Sequence, residues 1–174
     1  TEVGAGLSGV IATTTEVMWL DPASGGLSYR GRPVESLARD RSFEEVAFLL
    51  ISGVDPDDAR DSYRGFRDQL RASRRLPSDV IALVRDIDPG THPTRLLRAG
   101  ISALGCHELS VDDDLAGERQ WRELRIVGQT AALVGEIAAY RCGRTSPEID
   151  GTCSLAAGLL AAMGGGDADP EDAR

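Results

Sequence analysis

The sequence has no lysine, few aromatic residues and no long hydrophobic segment. All 19 basic residues are arginines, and 28 acidic residues outnumber them, which gives a net charge of −9. This acidic balance argues against sequence-independent binding to nucleic-acid backbones or anionic membrane surfaces. No apolar run approaches the roughly 18 residues that a membrane-spanning helix requires, so we expect no membrane partner. The first residues also lack the basic and apolar regions of a secretory signal.

Cysteine and histidine are few as well. Cys106, Cys142 and Cys153 are odd in number and widely spaced, so they predict neither a disulfide framework nor a CxxC zinc motif. A reducing, cytoplasmic location is therefore expected. Cys106 and His107 are adjacent, which turns their side chains apart, and neither has an acidic residue at ligand spacing. We predict no Cys-His catalytic pair and no metal site there, and a structural role for His92 at a helix start.

Three further patterns are too incomplete to predict a ligand site. Residues 4–9 match GxGxxG, but a β-like run follows in place of the helix that a dinucleotide fingerprint needs, so we expect a loose amino-terminal arm. Residues 112–114 are three aspartates without the Gly and Glu of a calcium-binding loop. Arg71, Arg74 and Arg75 cluster near a predicted helix C-terminus, where complementing the helix dipole is favoured over binding an anion.

Strand signals are confined to the start of the chain. Residues 10–20 and 27–31 are rich in β-branched and aromatic residues, and turn-forming residues separate them. We predict short strands and a hairpin there, followed by helices. The predicted division of the chain is an arm with short strands over residues 1–31, a helical region over residues 32–163 and a flexible acidic tail over residues 164–174.

A capping box predicts where one helix begins. The Ser42 side chain can accept a hydrogen bond from the amide three residues on, while Glu45 reaches back to the Ser42 amide. Gly53 supplies the stop. Asp55 and Pro56 then predict the cap and first residue of the next helix. The predicted buried stripe of the first of these helices consists of Phe43, Val46, Ala47 and Leu50.

Two late helices carry unusual apolar surfaces. A predicted helix over about residues 119–142 has small residues along one side, which suits either burial among helices or a contact between subunits. A second, over residues 154–163, is almost wholly apolar, and a short helix that is apolar on every side needs cover on every side. We predict a contact with another chain at Gly128, Ala132, Gly135, Ala139, Leu155 and Leu159.

Several segments along the chain stand in one order and approximate spacing. They are residues 6–10 (GLSGV), 27–31 (LSYRG), 34–38 (VESLA), 42–50 (SFEEVAFLL), 76–80 (LPSDV), 91–98 (THPTRLLR) and 102–105 (SALG). Together they resemble the amino-terminal portion of bacterial and archaeal citrate synthases. The resemblance implies a mainly α fold, a citrate-synthase-like helical bundle with a short amino-terminal β-hairpin. Thr94 departs from the family, which usually has Met there, and Gln129-Thr130 stands where Pro-Thr is usual.

The resemblance also implies where the chemistry lies. Citrate synthases carry catalytic and substrate-binding residues in later motifs, which include Glu-His-x-x-Asn-Ala-Ser-Thr, Gly-Pro-Leu-His-Gly-Gly and Gly-His-Arg followed by a catalytic Asp. This sequence contains none of these motifs, so no catalytic residue is carried over to it. The reaction needs a base for the acetyl-CoA methyl proton and donors that stabilise the enol and polarise the oxaloacetate carbonyl. Neither His92 nor His107 matches such a role.

The resemblance leads to one main hypothesis and two alternatives. The main hypothesis is a non-catalytic amino-terminal subunit of a split, heteromeric enzyme, in a heterodimer or higher oligomer whose second chain supplies the catalytic half. The assembly would condense acetyl-CoA or another acyl-CoA with oxaloacetate or a related 2-oxo acid, with the CoA thioester as substrate and no cofactor. The alternatives are a truncated relative that modulates a full-length synthase, and a fragment of a longer citrate synthase.

Overall fold

The computed structural model describes residues 14–107, 116–145 and 153–164 and is mainly helical. The chain divides into two compact units, Thr1–Arg41 and Ser42–Arg174. In the described part of the chain, no helix combines the length and the apolar character that crossing a membrane requires. The elements in chain order are β1 (Met18–Leu20), β2 (Leu27–Tyr29), β3 (Arg32–Pro33), α1 (Val34–Asp40), α2 (Phe43–Ser52), α3 (Arg60–Ala72), α4 (Ser78–Asp86), α5 (Pro93–Gly105), α6 (Ala116–Arg141) and α7 (Leu155–Met163).

The first unit contains a small antiparallel sheet of order β1-β2-β3, followed by α1. The predicted hairpin is confirmed, and its register pairs Met18 with Tyr29. A turn between the strands is closed by the Asp21 amide, which donates to the Gly26 carbonyl at 2.9 Å. The third strand, β3, is additional to the prediction. Strands were predicted within residues 10–20; of these, residues 10–13 lie outside the described part, and residues 14–17 precede β1 without joining a strand.

The second unit begins with α2, whose predicted ends are confirmed. The Ser42 amide donates to Glu45 Oε2 at 2.7 Å, and the Glu45 amide donates to Ser42 Oγ at 3.3 Å, which completes the capping box. Gly53 ends the helix with φ 75°, a conformation that glycine adopts without steric cost. The predicted stripe is wrong at Phe43, which is exposed, and it omitted Phe48 and Leu49, which are buried. Its other members are half-buried, and Ala47 packs against the core.

The predicted start of α3 is also wrong. The helix begins at Arg60 rather than at Pro56. The Asp57 amide donates to Asp55 Oδ1 at 2.9 Å, and the Asp58 amide donates to the Asp55 carbonyl at 3.0 Å. An aspartate that binds the amide two residues on stabilises a local turn in competition with a helix. Asp55 therefore initiates a separate turn before the helix.

Two hydrophobic clusters form the core of the second unit, and α6 contributes to both. The aromatic cluster contains Phe48, Phe66, Leu70, Leu124 and Leu155. The aliphatic cluster contains Val80, Val84, Leu96, Leu104, Leu133 and Ile137. Leu124 lies in the first half of α6, whereas Leu133 and Ile137 lie in its second half. The long helix thus joins α2, α3 and α7 to α4 and α5.

Candidate functional site

The small residues of α6 allow close approach by other parts of the same chain. A Cβ atom at Gly128 would clash with the Ser73 side chain, and one at Gly135 would lie 2.7 Å from the Ala162 Cβ atom of α7. Both separations are too short for any larger residue at these positions. The first of the two interpretations, a helix buried among helices, therefore accounts for both glycines.

The other predicted contact residues lie on the same helices. Ala132 and Ala139 are buried in α6, and Leu155 is buried at the start of α7, while Leu159 is half-buried. The structure thus brings the small side of α6 and the apolar helix α7 together within one chain. A contact of these residues with a second chain stays a prediction.

A buried ion pair fixes the start of α7 against α2 and the end of α3. Arg74 Nη2 lies 3.5 Å from Glu44 Oε1, and the two side chains are only 4% and 9% exposed. Glu44 Oε1 also accepts a hydrogen bond from the Leu155 amide at 2.7 Å, and Arg74 Nη1 donates to the Cys153 carbonyl at 2.9 Å. Burial lowers the pKa of Arg74, against the opposing effect of the Glu44 charge.

This ion pair corrects the prediction for the arginine cluster. Arg74 lies beyond the last residue of α3 and binds a buried carboxylate, so it does not act by complementing the helix dipole. Arg71 does lie in the last turn of α3, with Asp68 at 3.7 Å. The sequence carries no local signal for the Arg74–Glu44 pair, because 30 residues separate the partners.

A second set of polar contacts fixes the end of α6 to the last turn of α4 and to the segment that follows α4. Arg85 Nε donates to Glu136 Oε1 at 2.6 Å, and this hydrogen bond raises the pKa of Arg85. The Tyr140 hydroxyl is shared between the carbonyls of Arg85 and Ile87, both at 2.8 Å. Arg141 Nη1 donates to the carbonyls of Pro89, at 2.8 Å, and Thr91. These hydrogen bonds therefore fix the position of the last turns of α6 relative to α4 and the start of α5.

An apolar groove opens beside these contacts, between the start of α5, the second half of α6 and the end of α7. Its volume is about 430 Å³. It is lined by Pro93, Thr94, Leu97, Val134, Ile137, Ala138, Arg141, Cys142 and Met163. The guanidinium of Arg141 is engaged by the Pro89 and Thr91 carbonyls, so most of the surface that the groove offers is apolar.

The two histidines occupy structural positions. His92 caps α5 as predicted, since its Nδ1 accepts a hydrogen bond from the Thr94 amide at 3.3 Å. His107 Nε2 lies 2.9 Å from Asp79 Oδ2, so an acidic partner from the start of α4 is present where the sequence indicated none. Across residues 14–107, 116–145 and 153–164, no three His, Cys, Asp or Glu side chains are placed to hold a metal ion.

Of the other candidate site residues, the structure describes the three cysteines but not the glycine-rich segment or the aspartates. Cys106 and Cys142 are exposed, Cys153 is half-buried, and none of the three forms a disulfide. The glycine-rich residues 4–9 and the aspartates 112–114 lie outside the described residues. Sequence reasoning missed Gly100, where a Cβ atom would lie 2.6 Å from a Leu133 methyl group. A glycine inside a predicted helix is a signal that could have indicated this close packing.

Comparisons with known proteins identify the family. A family model described as "Citrate synthase, C-terminal domain" matches residues 6–174. This chain belongs to the citrate synthase family. It is 36% identical over 140 residues to a citrate synthase of Mycolicibacterium smegmatis, which covers 80% of this chain and 36% of the relative. It is 35% identical over 133 residues to a 2-methylcitrate synthase of Mycobacterium tuberculosis, covering 76% of this chain and 33% of the relative.

Comparison with solved structures also identifies citrate synthases. A citrate synthase of Thermoplasma acidophilum, solved as a ternary complex with carboxymethyl coenzyme A and oxaloacetate, matches with a TM-score of 0.82 and 21% identity. The match covers 98% of this chain and 44% of that one. The predicted citrate synthase resemblance and mainly α fold are thereby confirmed. This citrate synthase relative spans less than half the length of the proteins it matches.

Proposed function

We propose that this chain is the non-catalytic amino-terminal subunit of a citrate-synthase-type enzyme, and that a second polypeptide supplies the catalytic half. The observation that carries the proposal is the extent of the family match. Residues 6–174 match the family model, yet the chain covers only 36% of the length of the Mycolicibacterium smegmatis relative. In this assembly the chain provides a helical scaffold and a contact surface.

The positions of the two histidines support a non-catalytic role. Acid–base catalysis requires a side chain within hydrogen-bond reach of the proton that is transferred. The Nδ1 atom of His92 is occupied as a helix cap, and His107 is paired with Asp79. Neither residue lines the apolar groove. We therefore assign the proton transfers and the stabilisation of the enol to the second polypeptide.

The proposed reaction joins an acyl-CoA to a 2-oxo acid. The relatives' names include both citrate synthase and 2-methylcitrate synthase, so the proposed donors are acetyl-CoA and other acyl-CoA thioesters. Oxaloacetate or a related 2-oxo acid is the proposed acceptor, since the Thermoplasma acidophilum synthase was solved with oxaloacetate bound. The CoA thioester is a substrate in this scheme, which uses no cofactor.

Affinity purification of the tagged chain from its own host tests the proposal. We expect a stoichiometric partner that carries the Gly-Pro-Leu-His-Gly-Gly and Gly-His-Arg motifs, identified by mass spectrometry. The complex, supplied with acetyl-CoA and oxaloacetate, should release CoA, and the chain alone should not. CoA release by the chain alone would refute the non-catalytic role.

An immunoblot and the identity of the co-purified protein together distinguish the alternatives. An immunoblot of the untagged host gives the natural mass of the polypeptide. A mass equal to that of the full-length relatives would show that the catalytic half is on the same chain and would refute the split enzyme. Co-purification with a complete synthase would instead support the modulator.

A further inference from the structure

A small cavity lies between the end of α2 and the middle of α3, and its lining combines apolar and polar groups. Its volume is about 300 Å³, at the lower end of the range for small-molecule sites. Phe48 and Phe66 line it with buried rings, while Ser62 and Gln69 contribute a hydroxyl and a carboxamide. None of the lining residues is charged. A cavity of this size and composition suits an uncharged compound of about one ring.

The residues around the cavity are held in place by contacts within the chain. The rings of Phe48 and Phe66 pack edge to face, with their centroids 5.3 Å apart. The Ser52 hydroxyl, at the end of α2, donates to the Phe48 carbonyl at 2.7 Å and accepts from the Val54 amide at 3.1 Å. Ser52 and Val54 both line the cavity. The cavity is therefore preformed, and its walls need little ordering before a ligand binds.

Gly65 lies in the middle of α3 and lines the cavity. Glycine destabilises a helix interior relative to alanine, so its presence there calls for a reason. At Gly128 and Gly135 the reason is close packing within the chain. In the described part of the chain, nothing packs within 4 Å of the position that a Cβ atom of Gly65 would take. Gly65 instead keeps the wall of the cavity open, which allows a ligand to approach the backbone of α3 closely.

Two polar side chains of α3 can reach a ligand in the cavity. Ser62 and Gln69 are three residues before and four residues after Gly65, so all three lie on one face of the helix. Both side chains are exposed. A carboxamide offers a donor and an acceptor and can therefore pair with another amide. A carboxylate would lose water of hydration without meeting a positive side chain in the lining, which is unfavourable.

We propose that the cavity between α2 and α3 binds a small uncharged ring compound that bears an amide group. The ring of the ligand packs beside Phe48 and Phe66 and against Gly65, and its amide pairs with the Gln69 carboxamide. The Ser62 hydroxyl supplies a further hydrogen bond. The site consists of residues of this chain alone, so the inference goes beyond the proposed function and does not depend on it.

Three probes of similar size test the chemistry of the site. Benzamide is neutral and carries the amide, benzoate carries a carboxylate in its place, and toluene has no polar group. Each probe is titrated into the full isotope-labelled chain, and the backbone amide signals are followed by NMR. We expect benzamide to shift the signals of Gly65, Phe66 and Gln69 with a Kd of about 1 mM or below. Benzoate should bind at least about tenfold more weakly, and toluene about threefold more weakly.

A matched pair of glycine variants tests the position of the ligand. Gly65→Ala adds a methyl group to the wall of the cavity, and Gly105→Ala adds one at the end of α5, where nothing packs within 4 Å either. We expect Gly65→Ala to weaken benzamide binding by at least about fivefold, because the methyl group occupies space that the ligand needs. Gly105→Ala should change the Kd by less than about twofold. Thermal unfolding verifies that neither variant is less stable than the wild type.

A third variant tests the hydrogen bond. Gln69→Met keeps the length of the side chain and removes the carboxamide. We expect it to weaken benzamide binding by about threefold or more and to leave toluene binding unchanged, because only benzamide loses a polar partner. Equal weakening of both probes would show that Gln69 acts through the shape of the cavity, and the assignment of an amide ligand would then be wrong.

The remaining outcomes also decide the proposal. If benzamide at its solubility limit shifts no signal around the cavity, the site does not exist. Equal binding of the three probes, or equal effects of Gly65→Ala and Gly105→Ala, would show nonspecific contact and overturn the inference. None of these results bears on a second polypeptide, so the proposed function is tested separately by co-purification.

Discussion

The aromatic and aliphatic clusters share the helix α6, but the charged groups beside them are exposed to water to different extents. Next to the aromatic cluster, Arg74 and Glu44 are both almost completely buried, with 4% and 9% of their side chains exposed. Next to the aliphatic cluster, Glu136 is 3% exposed, whereas its partner Arg85 is 39% exposed. Removal of an arginine should therefore cost more at the first cluster than at the second, because water can replace only the exposed partner.

The largest expected effect is at Arg74. The substitution Arg74→Met removes the guanidinium and leaves the Glu44 carboxylate buried beside the start of α7. We expect the free energy of unfolding to fall by about 3–5 kcal/mol, as when one partner of a buried ion pair is removed. Urea unfolding followed by circular dichroism measures the loss.

The double variant Arg74→Met with Glu44→Gln is the control for this prediction. The glutamine is neutral and keeps an oxygen that can accept from the Leu155 amide. We expect it to recover a substantial part of the lost stability, because no buried charge remains. A loss below about 1 kcal/mol for Arg74→Met alone would show that the buried pair does not distinguish the two clusters.

The second prediction concerns the contact of α6 with Ser73. The Ser73 hydroxyl is shared between the carbonyls of Leu70, at 2.6 Å, and Leu124, at 3.0 Å, and therefore cannot move without losing hydrogen bonds. Gly128→Ala should destabilise the chain by about 2–3 kcal/mol, since a buried methyl group is inserted into this fixed environment. Thermal and urea unfolding give the change.

Two further glycines sharpen the comparison. A methyl group at Gly100 meets the end of the Leu133 side chain, which can adjust, so Gly100→Ala should cost less than Gly128→Ala. Gly65 in α3 has no atom near its missing side chain, and Gly65→Ala should stabilise the helix by about 0.5–1 kcal/mol. Equal changes in the free energy of unfolding for Gly128→Ala and Gly65→Ala would contradict the close contact between Gly128 and Ser73.

The third prediction concerns the second ion pair. Arg85→Met removes the hydrogen bond to Glu136 but opens a path for water to that carboxylate. We expect a loss of about 1–2 kcal/mol, below that for Arg74→Met. Arg85→Lys keeps the positive charge and should lose less than Arg85→Met. Urea unfolding of the three proteins at one pH compares them, and a loss for Arg85→Met as large as that for Arg74→Met would refute the comparison.

The features predicted from the sequence are those whose partners lie close together along the chain. Ser42 and Glu45 are three residues apart, and Gly53 directly follows the last residue of α2, so local sequence predicted both ends of the helix. The hairpin is equally local, because its two strands and their turn are consecutive. Prediction from the sequence was wrong at Asp55, where two local structures compete. The Asp55 carboxylate can accept a backbone hydrogen bond either as a helix cap or in an independent turn.

The features that the sequence did not predict depend on distant residues. Glu44 was not among the predicted buried residues of α2, and a charged residue is seldom buried without a partner. Its partner Arg74 comes from the end of α3. Phe48 and Leu49 are buried on the same helix as Glu44, and Phe43 is exposed. Small residues on α6 likewise indicated close approach but not which backbone approaches.

The smallest expected effect is at the exposed pair of His107, which lies two residues beyond the end of α5, and Asp79 of α4. His107 and Asp79 lie 2.9 Å apart, with 35% and 68% of their side chains exposed. His107→Ala should reduce the free energy of unfolding by less than about 1 kcal/mol, and 1 M salt should diminish the difference, because exposed ion pairs are weak and screened. Asp79→Asn should cost a similar amount, and a double variant should show little additional loss. Unfolding in low and high salt measures these changes. If the loss of unfolding free energy exceeded about 2 kcal/mol and did not depend on salt, this exposed pair would stabilise the chain as a buried pair does. The distinction between exposed and buried pairs would then be wrong.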